Sequence, residues 1–124
     1  MRFKSEHMRE QFEQTDEVLK ALAADFVVLS QMLKIQPVVT RVSDTVEGES
    51  GVHQAMRAVD FRDEHAGKFL YDHDEREAIL KFLNLKYERT DGYKAVIWHN
   101  FRGGAHHWHL QVPYDKSNLK RRLV

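Results

Sequence analysis

Histidines are the residues of this chain whose number and spacing most suggest chemistry. The 124 residues contain eight histidines and no cysteine. Without a thiol, the chain cannot form disulfides, thiolate zinc sites or cysteine nucleophiles, so a metal centre would have to use imidazole and carboxylate ligands. His106, His107 and His109 lie within four residues of one another. This cluster is therefore the first candidate for metal binding or acid–base work.

Strand alternation indicates which of these side chains face the same way. In a strand over 106–112, the apolar residues at every second position face a core, which turns His107 and His109 toward a cleft or solvent. A strand over 57–62 alternates in the same way and turns Asp60 to its polar face. Each of the two strands therefore offers a metal-ligand side chain on its polar face.

His53 lies seven residues before Asp60. In one helix the two would be about 10.5 Å apart along the axis, too far for one zinc ion with bonds of about 2.0–2.2 Å. A loop containing Gly48 and Gly51 could instead return His53 over the end of the Asp60 strand. A metal site of His53, Asp60 and His109 is one interpretation. Histidines with purely structural roles are the other, because His–carboxylate pairs arise easily in a histidine-rich chain.

Residues 50–61, Ser-Gly-Val-His-Gln-Ala-Met-Arg-Ala-Val-Asp-Phe, resemble the SxHxxGxAxD signature of the D-Ala-D-Ala metallopeptidase family. His107-Trp108-His109 resembles the closing HxH strand of that family, which includes vancomycin-resistance dipeptidases, phage L-alanyl-D-glutamate endolysins and hedgehog-type domains. The likeness covers about residues 37–112. It implies that His53, Asp60 and His109 bind Zn²⁺ and leave a fourth position for water, which zinc acidifies toward a pKa of about 7.

Two positions depart from the signature, and three residues are candidates for contact with a substrate. Met56 stands where the family usually has glycine, and Ser50 is one residue further from His53 than the usual serine. By resemblance, Arg41 falls near an arginine that binds the substrate or a developing oxyanion, although it could equally be a surface residue. Arg57 is a second possible anion partner. Ser50 could hydrogen-bond a ligand or only a turn.

The catalytic base is the third departure. The dipeptidase and endolysin branches have a glutamate three residues before the last ligand, and that position is His106 here. The branch with HxH uses a histidine beside the metal, which would be His107. A neutral imidazole can accept a proton from water and return it to a leaving amine. His107 is the preferred base because alternation places it on the face of His109, and His106 is the alternative.

The chain predicts a single α+β domain over residues 1–124, with a core over about 15–113 and a basic, solvated tail over 114–124. A small antiparallel sheet covered by two main helices is expected, of hedgehog or DD-peptidase type by resemblance. The first 14 residues have too few apolar side chains to predict a helix. The predicted elements are helices over about 16–34, capped by Thr15 or Asp16, and from a cap at Asp72 or Asp74 to about Tyr87, with strands over 38–42, 57–62, 93–99 and 106–112.

The resemblance implies a zinc-dependent peptidase that cuts peptidoglycan stem peptides, as a phage endolysin or a virion-associated lytic enzyme does. The formal net charge of zero gives no general attraction to nucleic acid or membrane, and a monomer is expected. No apolar leader is apparent, so the protein is expected to be made in the cytosol and to reach the cell wall after release. The alternatives are a non-catalytic zinc-binding structural or binding module of a phage particle, and a nucleic-acid-binding protein that uses the basic tail.

Overall fold

The computed structural model describes residues 1–42, 56–100 and 103–122. It confirms the predicted α+β class. The elements in chain order are β1 (Arg2–Phe3), α1 (Glu6–Glu13), α2 (Glu17–Met32), β2 (Val38–Arg41), β3 (Ala58–Arg62), β4 (Glu64–His65), β5 (Lys68–Phe69), α3 (His73–Lys86), β6 (Tyr87–Arg89), β7 (Val96–His99), β8 (His107–Gln111), a 3-10 turn (Lys116–Asn118) and β9 (Leu119–Arg121).

Side-chain caps fix where the three helices begin. Asp16 accepts two backbone N–H groups of the first turn of α2. Asp72 and Glu75 form a capping box at the start of α3. Helix α1, which the sequence pattern did not predict, is capped by Ser5 and buries Phe12. Its stability therefore depends on this tertiary contact more than on a long apolar face.

The main sheet has five strands in the order β1-β2-β3-β8-β7. All neighbours are antiparallel except β1 and β2, which are parallel. The predicted antiparallel sheet is therefore wrong for β1. One face of the sheet packs against α2, where the Phe26 ring lies 4.7 Å from Phe61 and 5.1 Å from Trp108. The other face of β3 and β8 carries polar side chains.

A buried carboxylate ties the β4–β5 hairpin to the main sheet. Asp63 is fully buried, and one of its oxygens accepts the backbone N–H groups of Leu70 and Tyr71 at 2.9 and 3.1 Å. Its other oxygen accepts the indole N–H of Trp98 on β7. The segment 63–72, whose structure the sequence pattern left open, is therefore held by one acidic side chain at the edge of the sheet.

Most residues of the basic tail that the structure describes are exposed, and part of the tail forms a strand. Strand β9 pairs antiparallel with β6, and Leu119 packs against the core. The Lys116 ammonium lies 2.8 Å from the Asp16 carboxylate at the start of α2. These contacts join segments that are far apart in sequence, so the local pattern of the tail does not predict them. Among the described helices, none has the length and apolar character needed to cross a bilayer.

Candidate metal centre

The polar face of the sheet carries several of the predicted site residues. In the register of β3 and β8, Asp60 lies opposite His109, and Arg62 lies opposite His107. The neighbouring β7 places His99 opposite His107. Trp108 and Leu110, which alternate with the histidines, are fully buried in the core. The local alternation therefore directs an aspartate and three histidines to one surface.

Asp60 and His109 form the centre of this surface. The Asp60 Oδ1 atom lies 2.8 Å from His109 Nδ1, and its Oδ2 atom lies 3.5 Å from His107 Nε2. Asp60 is 3% exposed and His109 is 8% exposed, so their interaction is largely shielded from water. A carboxylate and an imidazole held together at low exposure are ligands that zinc accepts.

Gln111 orients the ring of His109. The Gln111 Nε2 atom donates to the backbone carbonyl of Lys94 at 3.0 Å, so its Oε1 atom faces His109 Nε2, also at 3.0 Å. Because Oε1 can only accept, the Nε2–H group of His109 donates to it. The ring is thereby turned so that Nδ1 faces the Asp60 carboxylate at 2.8 Å.

The donor atoms are compatible with a zinc ion. Two ligands of a tetrahedral zinc are roughly 3.4 Å apart when each bond is about 2.1 Å. The 2.8 Å between Asp60 Oδ1 and His109 Nδ1 would have to widen to that value. The described residues alone contain no group of three His, Cys, Asp or Glu side chains that could hold a metal. The predicted third ligand, His53, and the predicted substrate contact Ser50 lie outside the described residues.

His99 adds a third imidazole to the site. Its ring centroid lies 4.6 Å from that of His107 and 5.6 Å from that of His109. From the sequence, His99 could line a cleft or need no function, and its place at the site depends on the pairing of β7 with β8. A signal was nevertheless present, since His99 lies in a predicted strand that neighbours the strand with the HxH pattern.

His106, the alternative base, belongs to a different environment. Its Nδ1 atom lies 2.9 Å from a Glu64 oxygen, and its ring stacks on Trp98 with centroids 4.3 Å apart. Hydrogen bonds from the His106 ring and backbone hold the pKa of Glu64 below its usual value. The structure therefore brings His107 to Asp60 and keeps His106 with the aromatic side chains of the sheet edge.

The two predicted arginines lie at different places. A register shift between Val39 and Arg41 sets Arg41 opposite Asp60, where simple alternation would have turned it to the core. Arg57 donates through Nη1 to the Val112 carbonyl at 2.9 Å and lines a cavity of about 400 Å³ next to Gln111. Arg41 thus lies on the strand beside the proposed ligand, whereas Arg57 is held at the far end of the site.

Met56 has a φ of 59°, in the left-handed region that favours glycine. Its carbonyl accepts the backbone N–H of Asp16 at 3.2 Å, which attaches this turn to the start of α2. The position is the one at which the resembled signature carries glycine. Met56 therefore adopts a conformation in which glycine would be less strained.

Comparisons of the chain with protein-family models, with curated proteins and with solved structures found no match.

Proposed function

We propose that this protein is a zinc-dependent peptidase that cuts peptidoglycan stem peptides, as a phage endolysin or a virion-associated lytic enzyme. Asp60 and His109 would be two of the zinc ligands, and the resemblance supplies His53 as the third. The observation that carries the proposal is the Asp60 carboxylate held 2.8 Å from the His109 imidazole, with both side chains almost fully buried. Imidazole with carboxylate is a donor set typical of zinc.

When bound, zinc would polarise the scissile carbonyl and acidify a water molecule. The protein's own contribution to the reaction is proton transfer. His107, which is partly exposed and 3.5 Å from Asp60, would accept the proton of the attacking water at its Nε2 atom. The water oxygen bonds to the carbonyl carbon, the C–N bond breaks, and His107 returns the proton to the leaving amine. His99, beside His107, would help to hold its ring in place.

The charge on the site favours a substrate that carries carboxylates. Arg62 lies on the same face as Asp60, opposite His107, and no described acidic side chain forms an ion pair with it. Arg41 lies on β2, where it pairs with Asp60 across the edge of β3 that faces away from β8. An arginine can bind a carboxylate through two parallel hydrogen bonds. Stem peptides of the cell wall carry free carboxylates and D-residues, which agrees with both this surface and the resemblance.

The decisive experiment is incubation of the purified protein with soluble muropeptides, followed by mass spectrometry and an assay for new amine groups. We expect hydrolysis that a chelator stops and that added zinc restores, with an all-L peptide of similar length left largely uncut. Equal cleavage of the all-L peptide would keep the peptidase and overturn the cell-wall assignment.

His107→Ala tests the proposed base. It should keep zinc and lose turnover by about 10²–10⁴-fold, the usual contribution of a general acid–base group. His106→Ala is the matched control, because His106 stacks on Trp98 and makes no contact with Asp60 among the described atoms. Full activity of His107→Ala together with an inactive His106→Ala would exchange the two roles.

A non-catalytic zinc-binding module of a phage particle is the second candidate. It is favoured by two departures from the resembled family: position 106 lacks the glutamate of the dipeptidase and endolysin branches, and position 56 lacks the usual glycine. The module would bind zinc and muropeptides but release no new amine at any pH between about 5 and 9, the range in which water bound to zinc ionises.

A further inference from the structure

We infer that the cavity beside Arg57 binds a neutral oligosaccharide, with the rings of Tyr93 and Tyr114 as its stacking surfaces. The cavity has a volume of about 400 Å³, within the range of about 300–1,000 Å³ that is usual for small-molecule sites. None of the residues that line it is a proposed zinc ligand, so the inference stands without the metal. The lining residues are Arg57, Arg89, Asp91, Tyr93, Gln111, Pro113, Tyr114, Asp115 and Asn118.

Two tyrosine rings of this cavity are left in water. Tyr93 is 66% exposed and Tyr114 is 86% exposed, and neither hydroxyl takes part in a hydrogen bond with the residues that the structure describes. A tyrosine ring combines an apolar face with a polar tip, which suits ligands that are themselves part apolar and part polar. A pyranose ring is such a ligand, because it has a flat C–H face surrounded by hydroxyl groups.

The segment that carries Tyr93 is held in one conformation by Asp91. The Tyr93 N–H group donates to Asp91 Oδ1 at 3.3 Å, and the Arg89 guanidinium binds both oxygens of the same carboxylate at 3.0 and 2.7 Å. The guanidinium carbon of Arg89 lies 5.3 Å from the centre of the Tyr93 ring, over its face. Arg89 therefore supports one face of the ring, while most of the side chain stays accessible to a ligand.

The segment that carries Tyr114 is also fixed. The Lys116 ammonium donates to the carbonyl oxygen of Pro113 at 2.7 Å and to that of Tyr114 at 3.5 Å. The Thr90 N–H group donates to the Asn118 carbonyl at 2.8 Å, which joins the two segments that form the cavity. Little backbone order would have to be gained when a ligand binds, and such preorganisation favours affinity.

The polar groups of the lining favour a neutral ligand rich in hydroxyl groups. Arg57 and Arg89 balance Asp91 and Asp115, so an anion would face two carboxylates and a cation would face two guanidinium groups. A sugar hydroxyl both donates and accepts, so it can bind a carboxylate and a guanidinium together. Arg57 uses one of its five N–H groups on the Val112 carbonyl in the described contacts. A peptide has donors and acceptors as well, but its backbone offers no flat C–H face to the two rings.

The test is an NMR titration of the ¹⁵N-labelled full-length protein with cellotriose, maltotriose and chitotriose, which differ in linkage and substituents. We expect at least one triose to bind and to shift the backbone amides of residues 89–93 and 114–118. Saturation transferred from the protein should reach the ring C–H protons of the bound sugar. Chelator-treated protein should bind it equally, so failure of the proposed zinc site and failure of this inference are separate results.

Variants of the two tyrosines test the stacking. Tyr93→Ala and Tyr114→Ala should each weaken binding roughly 3–10-fold, because each removes one aromatic surface, whereas Tyr114→Phe should keep most of the affinity. Phe69→Ala is the matched control, since it removes a ring that is 50% exposed and lies outside the cavity, and it should bind as wild type does.

Three results would overturn the inference. The first is that none of the trioses binds at millimolar concentration. The second is unchanged affinity when both tyrosines are replaced by alanine in a variant that circular dichroism shows to be folded. If that variant does not fold, amide shifts of the wild-type protein that fall outside residues 89–93 and 114–118 have the same meaning. The third is binding of tri-alanine or inorganic phosphate in the cavity without binding of any triose, which would assign the cavity to another class of ligand.

Discussion

Met56 adopts a left-handed backbone conformation at the position where the resembled signature has glycine. A residue with a Cβ in this conformation loses about 1–2 kcal/mol relative to glycine. Glycine in turn has more conformational freedom to lose on folding, which offsets part of that difference. The hydrogen bond from the Asp16 N–H group to the Met56 carbonyl holds the turn in place, so Met56 keeps its left-handed conformation despite the strain.

Met56→Gly should therefore stabilise the protein by about 0.5–1 kcal/mol. Chemical unfolding in urea measures the change. Ala66, with a φ of 52°, should respond in the same direction when replaced by glycine. Ala58→Gly, in the extended strand β3, should instead destabilise the protein. A loss of stability in Met56→Gly would mean that the packing of the methionine side chain outweighs its backbone strain.

For the residues of the site, the sequence pattern predicts which face of its strand each side chain occupies, but not which side chains it contacts. Asp60, His107 and His109 are placed on polar faces by the apolar residues on either side of them, and the structure has them there. His99 comes to the same face through the pairing of β7 with β8, which alternation within one strand does not identify. Local pattern gives the direction of a side chain, whereas its partner depends on strand order.

At the scale of elements, α2, α3 and β6 meet at one hydrogen-bonded group. The Tyr87 hydroxyl donates to Asp25 Oδ2 at 2.6 Å, and the Lys86 ammonium lies 2.9 Å from the same oxygen. Although partial burial opposes it, these two donors hold the pKa of Asp25 below its ordinary value. Burial and the nearby carboxylate raise the pKa of Tyr87 to about 12. Both shifts indicate that the folded state favours a carboxylate paired with a neutral phenol.

The pKa shifts give the sign of the pH dependence. The pKa of Tyr87 is raised on folding from an ordinary value of 10.0, so its contribution to stability is complete below about pH 10 and is lost as pH rises through 12. Tyr87→Phe should destabilise the protein by about 1–2 kcal/mol at pH 7, and the difference from wild type should shrink between pH 10 and 12. Urea unfolding across this range measures it. Tyr114→Phe, at a residue 86% exposed, is the control and should have little effect. If the difference in stability between wild type and Tyr87→Phe stayed constant across that range, the ionisation of Tyr87 would not be coupled to unfolding.

Elements with strong local signals were predicted well. The caps at Asp16 and Asp72 set the starts of α2 and α3 within one or two residues of the predicted positions. Strands β1 and β9 were not predicted because each has only two or three residues and pairs with a distant segment. A short strand has little pattern of its own, so its existence depends on its partner.

At the scale of the whole molecule, the two faces of the main sheet differ in character: one is apolar and the other is polar. Helix α2 covers one face of the central strands and forms the core with Phe26, Phe61 and Trp108. The other face carries the candidate metal centre, whose charged groups would be costly to bury in that core. The apolar core and the candidate metal centre thus lie on opposite faces of β3 and β8. Because both are built on the same strands, binding at the site should change the stability of the whole domain.

Zinc binding should therefore raise the melting temperature of the protein. At a free zinc concentration a hundredfold above Kd, binding adds about 2.7 kcal/mol to the free energy of unfolding. For a domain of this size that corresponds to a rise of roughly 10 °C in Tm. Differential scanning calorimetry with buffered zinc measures this rise in Tm.

Asp60→Ala and His109→Ala should lose the rise, whereas the control His106→Ala should keep it. Magnesium should produce little change, because it prefers oxygen ligands and imidazole is a poor one. An undiminished zinc-dependent rise in Asp60→Ala would place the metal elsewhere, since the carboxylate at the centre of the site would then have no part in binding it.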